Sequence, residues 1–507
     1  MGSSSPPQLQ QIHFGVGPRG YEPVTHHKAK PGTYIREHDD YQAAISSLCP
    51  FDVWPRGSYR LYCPRPILVG KQHLEQLSEL HQALSIAIVD IVGRWWTDEQ
   101  AEFPKRMPLE KQEEDFLQWI ESQVSHGDFP PYSACQGSWR PDFMIEEDES
   151  HPQNGMVEKF RITEINARFS FNGFMHAAYG QRALEDMGIQ TKGLISAVDS
   201  DKLLDGVFSF ATPDDPLHLL MGEEVGFDIH LFVDAAKRRR DAITRVIHPS
   251  DLRLVPDPKT KEGYLLCCII KNNDNVYDLA QSSILTTSSG ETVEEIKQVG
   301  LELFQSELIS LEPEMLRQIS RRCFNDMRTI FLIHDKRMLA IVKQELEPLV
   351  TQGVLTSAQA KILDEGIPHT ILPGSQELEQ LLQLSSLSPK MKDDYIIKPV
   401  RDGKGAGIVF GEDLTPDEWI SALGHLRSPG LISGTNGIVQ RRIIPRLYDV
   451  ILRTSGERLR YPLVGTYHSI NGKFIGLGVW RSNNDRICAI DSAGSCLSSV
   501  IDAGDTH

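Results

Sequence analysis

Arg140, Asp142, Glu164 and Asn166 are the residues of this 507-residue chain whose types and spacing point most directly to chemistry. They stand in two runs, Trp139-Arg140-Pro141-Asp142 and Ile162-Thr163-Glu164-Ile165-Asn166-Ala167-Arg168. Residues two apart on a strand share a face. Arg140 and Asp142 therefore project together from one strand, and Glu164 and Asn166 from the next. A polar turn rich in Glu, Asp, Asn and Gly separates the runs, as a hairpin requires. Two carboxylates and an amide oxygen are hard ligands suited to Mg²⁺. The guanidinium beside them can hold a phosphoryl oxygen or an oxyanion. The chemistry implied is metal-assisted phosphoryl transfer. Taken alone, charged pairs of this kind are more often a solvated hairpin face, so the weight rests on what lies downstream.

Ile396-Ile397-Lys398-Pro399-Val400-Arg401-Asp402-Gly403-Lys404-Gly405-Ala406-Gly407 sets a lysine at a strand end, then a glycine-rich loop, then a second strand. Small residues let backbone N–H groups approach phosphate oxygens, and the lysine adds a point charge. No GK[ST] opens a helix here, and a strand follows the glycines, which excludes the Walker and Rossmann loops. A strand–loop–strand flap over nucleotide phosphates remains, with an ordinary Gly-rich hairpin as its rival. Some forty residues later, Val439-Gln440-Arg441-Arg442-Ile443-Ile444-Pro445 reads as a strand entering a connection that can offer backbone groups to an adenine edge.

The elements that must position these residues follow from hydrophobic periodicity. Leu74, Leu77, Leu80, Leu84, Ile88 and Ile91 predict a helix over 71–96, and a second covers 109–124. After the hairpin a helix runs to about Met187. Between 190 and 385, strands at 229–233, 264–270 and 329–333 alternate with helices at 291–308, 314–322 and 335–350, which predicts an α/β unit with a largely parallel sheet. Beyond 390, short strands and turns predict an antiparallel α+β region, with Asn471-Gly472 as a type I′ hairpin turn. The expected organisation is a helical or irregular region over 1–130, the metal-binding hairpin over 131–186, the α/β unit over 187–390, and the lysine, loop and closing hairpins over 391–507.

Composition bounds the partners. Lys and Arg number 52 against 69 Asp and Glu, a net charge of −17, which disfavours nucleic acid and anionic membranes. Lys237-Arg238-Arg239-Arg240 is a basic cluster expected at a helix end. No stretch reaches the roughly 18 apolar residues of a spanning helix, and the first residues lack a secretory signal's pattern. Eight scattered cysteines without CxxC spacing fit a reduced, cytoplasmic setting. The 17 histidines form no triad recognisable from sequence.

Taken together, these segments resemble the ATP-grasp superfamily. Their order, with Arg140-x-Asp142 and Glu164-x-Asn166 ahead of Lys398, resembles the circularly permuted branch that includes glutathionylspermidine synthase. The resemblance covers about 135–485. It implies a multidomain α+β and α/β fold, with an ATP-grasp domain in permuted order and a Rossmann-like middle domain that includes Leu217 to Asp234. It implies ATP and two Mg²⁺ ions, with Mn²⁺ able to substitute, the metals held by Asp142, Glu164 and Asn166. Arg140 would be the catalytic arginine, and Arg481, in the segment Gly476 to Arg481, the arginine of the closing hairpin. Lys336, in His334-Asp335-Lys336-Arg337, and Lys398 would contact ATP. Gly403, Lys404, Gly405 and Gly407 would form the phosphate loop, and Gln440 with Arg441 the adenine hinge. The loop departs from the family's common Arg-Glu-Gly. No N-terminal cysteine amidase domain is present, and nothing points to glutathione or spermidine. The activity implied is carboxylate–amine ligation through an acyl phosphate, on a small carboxylic acid and an amine, with amino acids or peptides in range. A small-molecule kinase and a non-catalytic nucleotide-binding regulator are the alternatives.

Overall fold

The computed structural model describes residues 8–26, 30–147, 158–223, 226–270, 284–401, 403, 405–431, 436–488 and 494–506. Asp402 and Lys404 lie outside the described residues, as do His27 and most of the turn between the two hairpin strands.

The sheet that carries the site joins sequence-distant segments. Its order is Ser495–Leu497, Trp480–Ser482, Val464–Ile470, Ser138–Glu146, Lys159–Asn166, with Lys473–Leu477 also paired to Val464–Ile470. All pairings in it are antiparallel. Trp139, Phe143, Ile162 and Ile165 point into the core and are almost fully buried, which fixes the hairpin's register, since a one-residue slip would expose them. Asn471 and Gly472 take positive φ at the tip between Val464–Ile470 and Lys473–Leu477, as a type I′ turn demands.

The glycine loop belongs to a second antiparallel sheet, ordered Thr370–Ile371, Gly437–Arg441, Tyr395–Pro399, Val409–Phe410. It has a core of its own, in which Leu378, Leu381, Trp419, Leu423 and Val439 pack together. Among the described residues, most of the remaining apolar interior is one cluster from Leu9 to Ile501, with Val24, Tyr34 and Ile451 forming a small separate one.

Several expectations hold. The helices at Lys71–Gly93, Lys111–Ser125 and Phe174–Asp186 lie where periodicity puts them, and the basic cluster closes the helix Ile229–Arg240. Others fail for identifiable reasons. Residues 229–233 begin that helix and are not a strand; Ile229, Leu231, Phe232, Ala235 and Ala236 are buried at near-helical spacing, and a five-residue apolar run cannot declare its own period. Thr329–Ile333 is likewise a helical turn, buried on every side. The stretch 291–308 splits into strands Thr292–Glu295 and Val299–Glu302 and a short helix Gln305–Ser310. Parallel pairing in the middle region is confined to three strands, ordered Val299–Glu302, Leu217–Met221, Thr244–Ile247. Near the N-terminus, Gln10–Phe14 and Tyr21–Pro23 are strands of a five-stranded sheet shared with Ser499–Asp502, where irregular structure was expected.

Candidate active site

Across the hairpin, Arg140 faces Asn166 and Asp142 faces Glu164 directly. A bulge follows Asp142, so that Phe143 pairs with Ile162 and Thr163 is the extra residue. Freed from the ladder, the Thr163 carbonyl accepts a hydrogen bond from Lys398 Nζ at 3.1 Å. The neighbouring strand brings Thr466 opposite Asp142 and Arg481 opposite Val464. Asp142 accepts from Arg481 Nη2 at 2.5 Å and from Arg140 Nε at 3.2 Å.

Glu164 stands 3.6 Å from Lys336 Nζ and 3.9 Å from Lys398 Nζ. Burial alone would raise its carboxyl, but Lys336, Lys398, Arg481 and Arg140 outweigh that and hold it at about 2. Lys398 is pulled the other way. Burial brings it down to about 8, and Lys336 adds to the fall while Glu164 opposes it. Arg481 stays above its ordinary value, because Asp142 and Glu164 more than offset its burial. The centre is a cluster of four cations and two carboxylates, in excess positive charge, and so is suited to an added polyanion.

The stem of the glycine loop is clasped from below. Lys336 N–H donates to the Val400 carbonyl at 3.0 Å. Arg401 reaches Glu113, on the helix Lys111–Ser125, and Asp335. Asp335 is also forked by Arg337, which is fully buried.

Above this clasp lies a cavity of about 360 Å³. Arg140, Asp142, Glu164, Asn166, Lys398 and Arg481 form its polar centre. Met144, Ile396, Ile408, Phe410 and Ile443 give one end an apolar lining, with Gln440 beside them, its amide donating to Thr370 Oγ1 at 3.1 Å. Gly403 and Gly405 lie on the wall. Gly407 is not among the lining residues; it has φ +71, and a Cβ there would meet Pro399. Lys336 is buried behind Glu164, and Lys404 lies outside the described residues. Arg441 departs from expectation. Alternation along the strand turns it away from Gln440, and it is exposed, 3.7 Å from Glu146, beside a separate cavity.

Buried polar atoms of cavity-lining residues without a hydrogen-bond partner among the described residues include Asn166 Nδ2, His334 Nε2 and Arg481 Nε. Two of them, on the amide and the guanidinium, can only donate. The wall thus calls for a ligand rich in acceptor oxygens, as a nucleotide polyphosphate is. Asp142, Glu164 and the Asn166 carbonyl, facing one another across the hairpin, are the donor set a hard cation takes.

Two features escaped the sequence reading. Ser58 Oγ lies 3.2 Å from His176 Nε2, and His176 Nδ1 lies 2.7 Å from Asp228 Oδ1, which is triad geometry assembled from three distant segments. The serine is buried and does not line the cavity, while Asp228 also accepts the backbone N–H groups of Met175 and His176 at the start of their helix. The arrangement therefore orients that helix end, where His176 and Asp228 border the cavity. The second feature is His334, a lining residue quoted within an anticipated motif but given no role; no spacing rule singles out a lone histidine before a helix. Elsewhere His218, Cys268 and Glu294 converge in the interior, but Arg245 Nε donates to Glu294 at 3.0 Å and already supplies the positive charge there.

The family model described as the AnkG N-terminal domain matches residues 80–332. The ATP-grasp enzyme ankG of Aspergillus thermomutatus is 38% identical over 434 residues, covering 84% of this chain and 86% of that protein. A solved structure of a glutathione synthetase-like effector (GSS30) from Globodera pallida, in apo form, aligns with 93% of this chain and 98% of its own, at 11% identity and a TM-score of 0.49. The chain belongs to the ATP-grasp enzymes, in the family of ankG. Among the described residues no helix is long and apolar enough to cross a membrane.

Proposed function

We propose that this protein is an ATP-dependent carboxylate–amine ligase, its ATP-grasp elements arranged in circularly permuted order. The observation that carries this reading is one cavity in which Lys398 meets Glu164 and Arg140 and Arg481 meet Asp142, with Lys336 behind Glu164 and an apolar end beside Gln440. Support for the permuted order comes from the hairpin at 138–166, which precedes Lys398 by more than two hundred residues yet pairs with Val464–Ile470.

In this reading the adenine occupies the apolar end and the loop at Gly403 and Gly405 covers the phosphates. Lys336 and Lys398 release part of their hold on Glu164 to the polyphosphate oxygens. Asp142, Glu164 and Asn166 are the residues that would hold Mg²⁺, whose contribution is neutralisation of phosphate charge. A carboxylate oxygen of the acid substrate attacks the γ-phosphorus, the bond to ADP breaks, and an acyl phosphate forms. Arg140 and Arg481 stabilise the charge on the transferring group by position and electrostatics. An amine then attacks the acyl carbon and loses a proton, and the C–O bond to phosphate breaks. Amide, ADP and phosphate result.

The test is nucleotide turnover by the purified protein with MgATP, a pool of carboxylic acids including amino acids, and hydroxylamine as the amine. Acid-dependent ADP, phosphate and hydroxamate are expected. AMP and pyrophosphate would overturn the reading. ADP with a stable phosphorylated product would replace it with a kinase, and tight MgATP binding without turnover on any acid with a regulator.

A further inference from the structure

The cavity extends past Asn166 to a region away from the adenine end, where Arg168, Phe169, Phe171 and His334 line the wall. The polyphosphate machinery does not use this region. The Arg168 guanidinium carbon lies over the rings of Phe169 and Phe304, 4.8 and 5.3 Å from their centroids. Such contacts fix the direction of its donors.

His334 decides what this end can do. Its side chain is over nine-tenths buried. Nδ1 accepts the backbone N–H of Ala167 at 3.5 Å, and a nitrogen that accepts carries no proton. In the neutral ring the proton must then sit on Nε2. Nε2 is buried and has no partner among the described residues. Burial together with Arg168 and Lys336 brings the imidazole down to about 3, with Glu164 and Asp335 opposing, so the ring is uncharged at neutral pH. An Nε2–H without a lone pair cannot take a proton from an attacking amine. It can only donate.

We propose that His334 is an oxyanion-binding residue: an uncharged Nε2–H donor that, with Arg168, receives the carbonyl oxygen of the activated acid. This rests on the ligase reading above and deepens it by placing the acid at the Arg168–His334 end. As the amine adds, that carbonyl oxygen gains negative charge. A fixed donor in a water-poor wall stabilises the charge without reorganising. The Asn166 amide N–H, also without a partner among the described residues, is a further donor on the cavity wall for a carboxylate whose second oxygen leaves with phosphate.

Two measurements test this. The first is nitrogen NMR of ¹⁵N-histidine-labelled protein, with His334 assigned by comparison with His334→Gln. The Nε2–H tautomer should persist from about pH 6 to 8, the window in which an ordinary histidine titrates. An Nδ1–H tautomer, or titration in that range, overturns the proposal. The second is the hydroxylamine assay on His334→Leu and His334→Gln. Leu should lower kcat by about 10²–10³-fold with the KM for ATP little changed, and Gln, which restores an N–H, should recover at least about tenfold of the loss. Equal losses in both variants, or loss of MgATP binding in the Leu variant, overturn this role and leave the ligase reading standing. No acid-dependent ADP from the wild-type protein overturns the ligase reading and this role with it.

Discussion

Arg401 and Glu113 form a two-pronged ion pair, Nη1 to Oε1 at 2.9 Å and Nη2 to Oε2 at 2.6 Å, that ties the stem of the glycine loop to a helix nearly 290 residues earlier in the chain. Glu113 is fully buried and also accepts from Gln305 Nε2 at 2.6 Å. Arg401 touches Asp335 as well, and the residue between Asp335 and Arg337 is Lys336. One guanidinium thus couples the helix Lys111–Ser125, the segment that carries Lys336 and the stem of the glycine loop.

Removing Glu113 takes the two-pronged partner from a largely buried guanidinium that keeps Asp335 at 3.4 Å and Glu110 at 3.5 Å. Glu113→Ala should therefore cost less than the roughly 3–5 kcal/mol of a fully unmatched buried charge and raise the KM for ATP, while Glu113→Gln, which keeps an acceptor, should cost less on both counts. Thermal denaturation and an ATP titration of turnover measure these. An unchanged KM for ATP in the Ala variant would separate the clasp from the loop.

Metal dependence should follow the hairpin. Chelation should abolish turnover and Mg²⁺ should restore it. Asp142→Asn and Glu164→Gln should raise the Mg²⁺ needed for half-maximal turnover by at least about 10–100-fold, the range for losing even an outer partner of a ligand. A wild-type Mg²⁺ curve in both variants would remove these carboxylates from the metal site.

How much of this was legible in the sequence depends on the range of the interaction. Arg140, Asp142, Glu164 and Asn166 were readable because strand alternation is local and the buried Trp139, Phe143, Ile162 and Ile165 enforce it. The place of Lys398, Gly403 and Gly405 on the cavity wall was approachable from sequence because a lysine at a strand end followed by small residues in series is a local pattern. Arg441 was misplaced for lack of the strand's facing, and residues 229–233 and 329–333 because short buried apolar runs look alike as helix and strand. Glu113–Arg401 and Ser58–His176–Asp228 were invisible, since each joins residues far apart in sequence by packing alone. His334 was quoted within a motif, but its role depends on which nitrogen the Ala167 amide engages.

Acid should erase the contribution of Glu164. Its folded carboxyl is held at about 2, against an ordinary 4.5, because Lys336, Lys398, Arg481 and Arg140 outweigh its burial. A depressed acid stabilises the fold above its unfolded value and loses that effect as pH falls through the folded one. The stability gap between wild type and Glu164→Gln, read by urea unfolding without metal, should be widest above the unfolded value and close as the pH approaches about 2. A gap independent of pH would contradict the charge balance drawn for the site.

Gly405 tests the loop. Its φ is +76, and an added Cβ would lie 2.2 Å from Ile487 Cγ2. Gly405→Ala combines that clash with a left-handed backbone penalty of about 1–2 kcal/mol, and should raise the KM for ATP without unfolding the protein. Gly424, in the helix Pro416–His425, has nothing within 4 Å of such a Cβ. Gly424→Ala should leave the KM unchanged and serves as the control.

Oxygen transfer from the acid tests the central claim most directly. The acid found to support ADP formation is labelled with ¹⁸O in its carboxylate and turned over with MgATP and an amine, and the phosphate is analysed by mass. An acyl phosphate predicts one ¹⁸O in each inorganic phosphate released. Unlabelled phosphate, or label appearing in AMP, would contradict it.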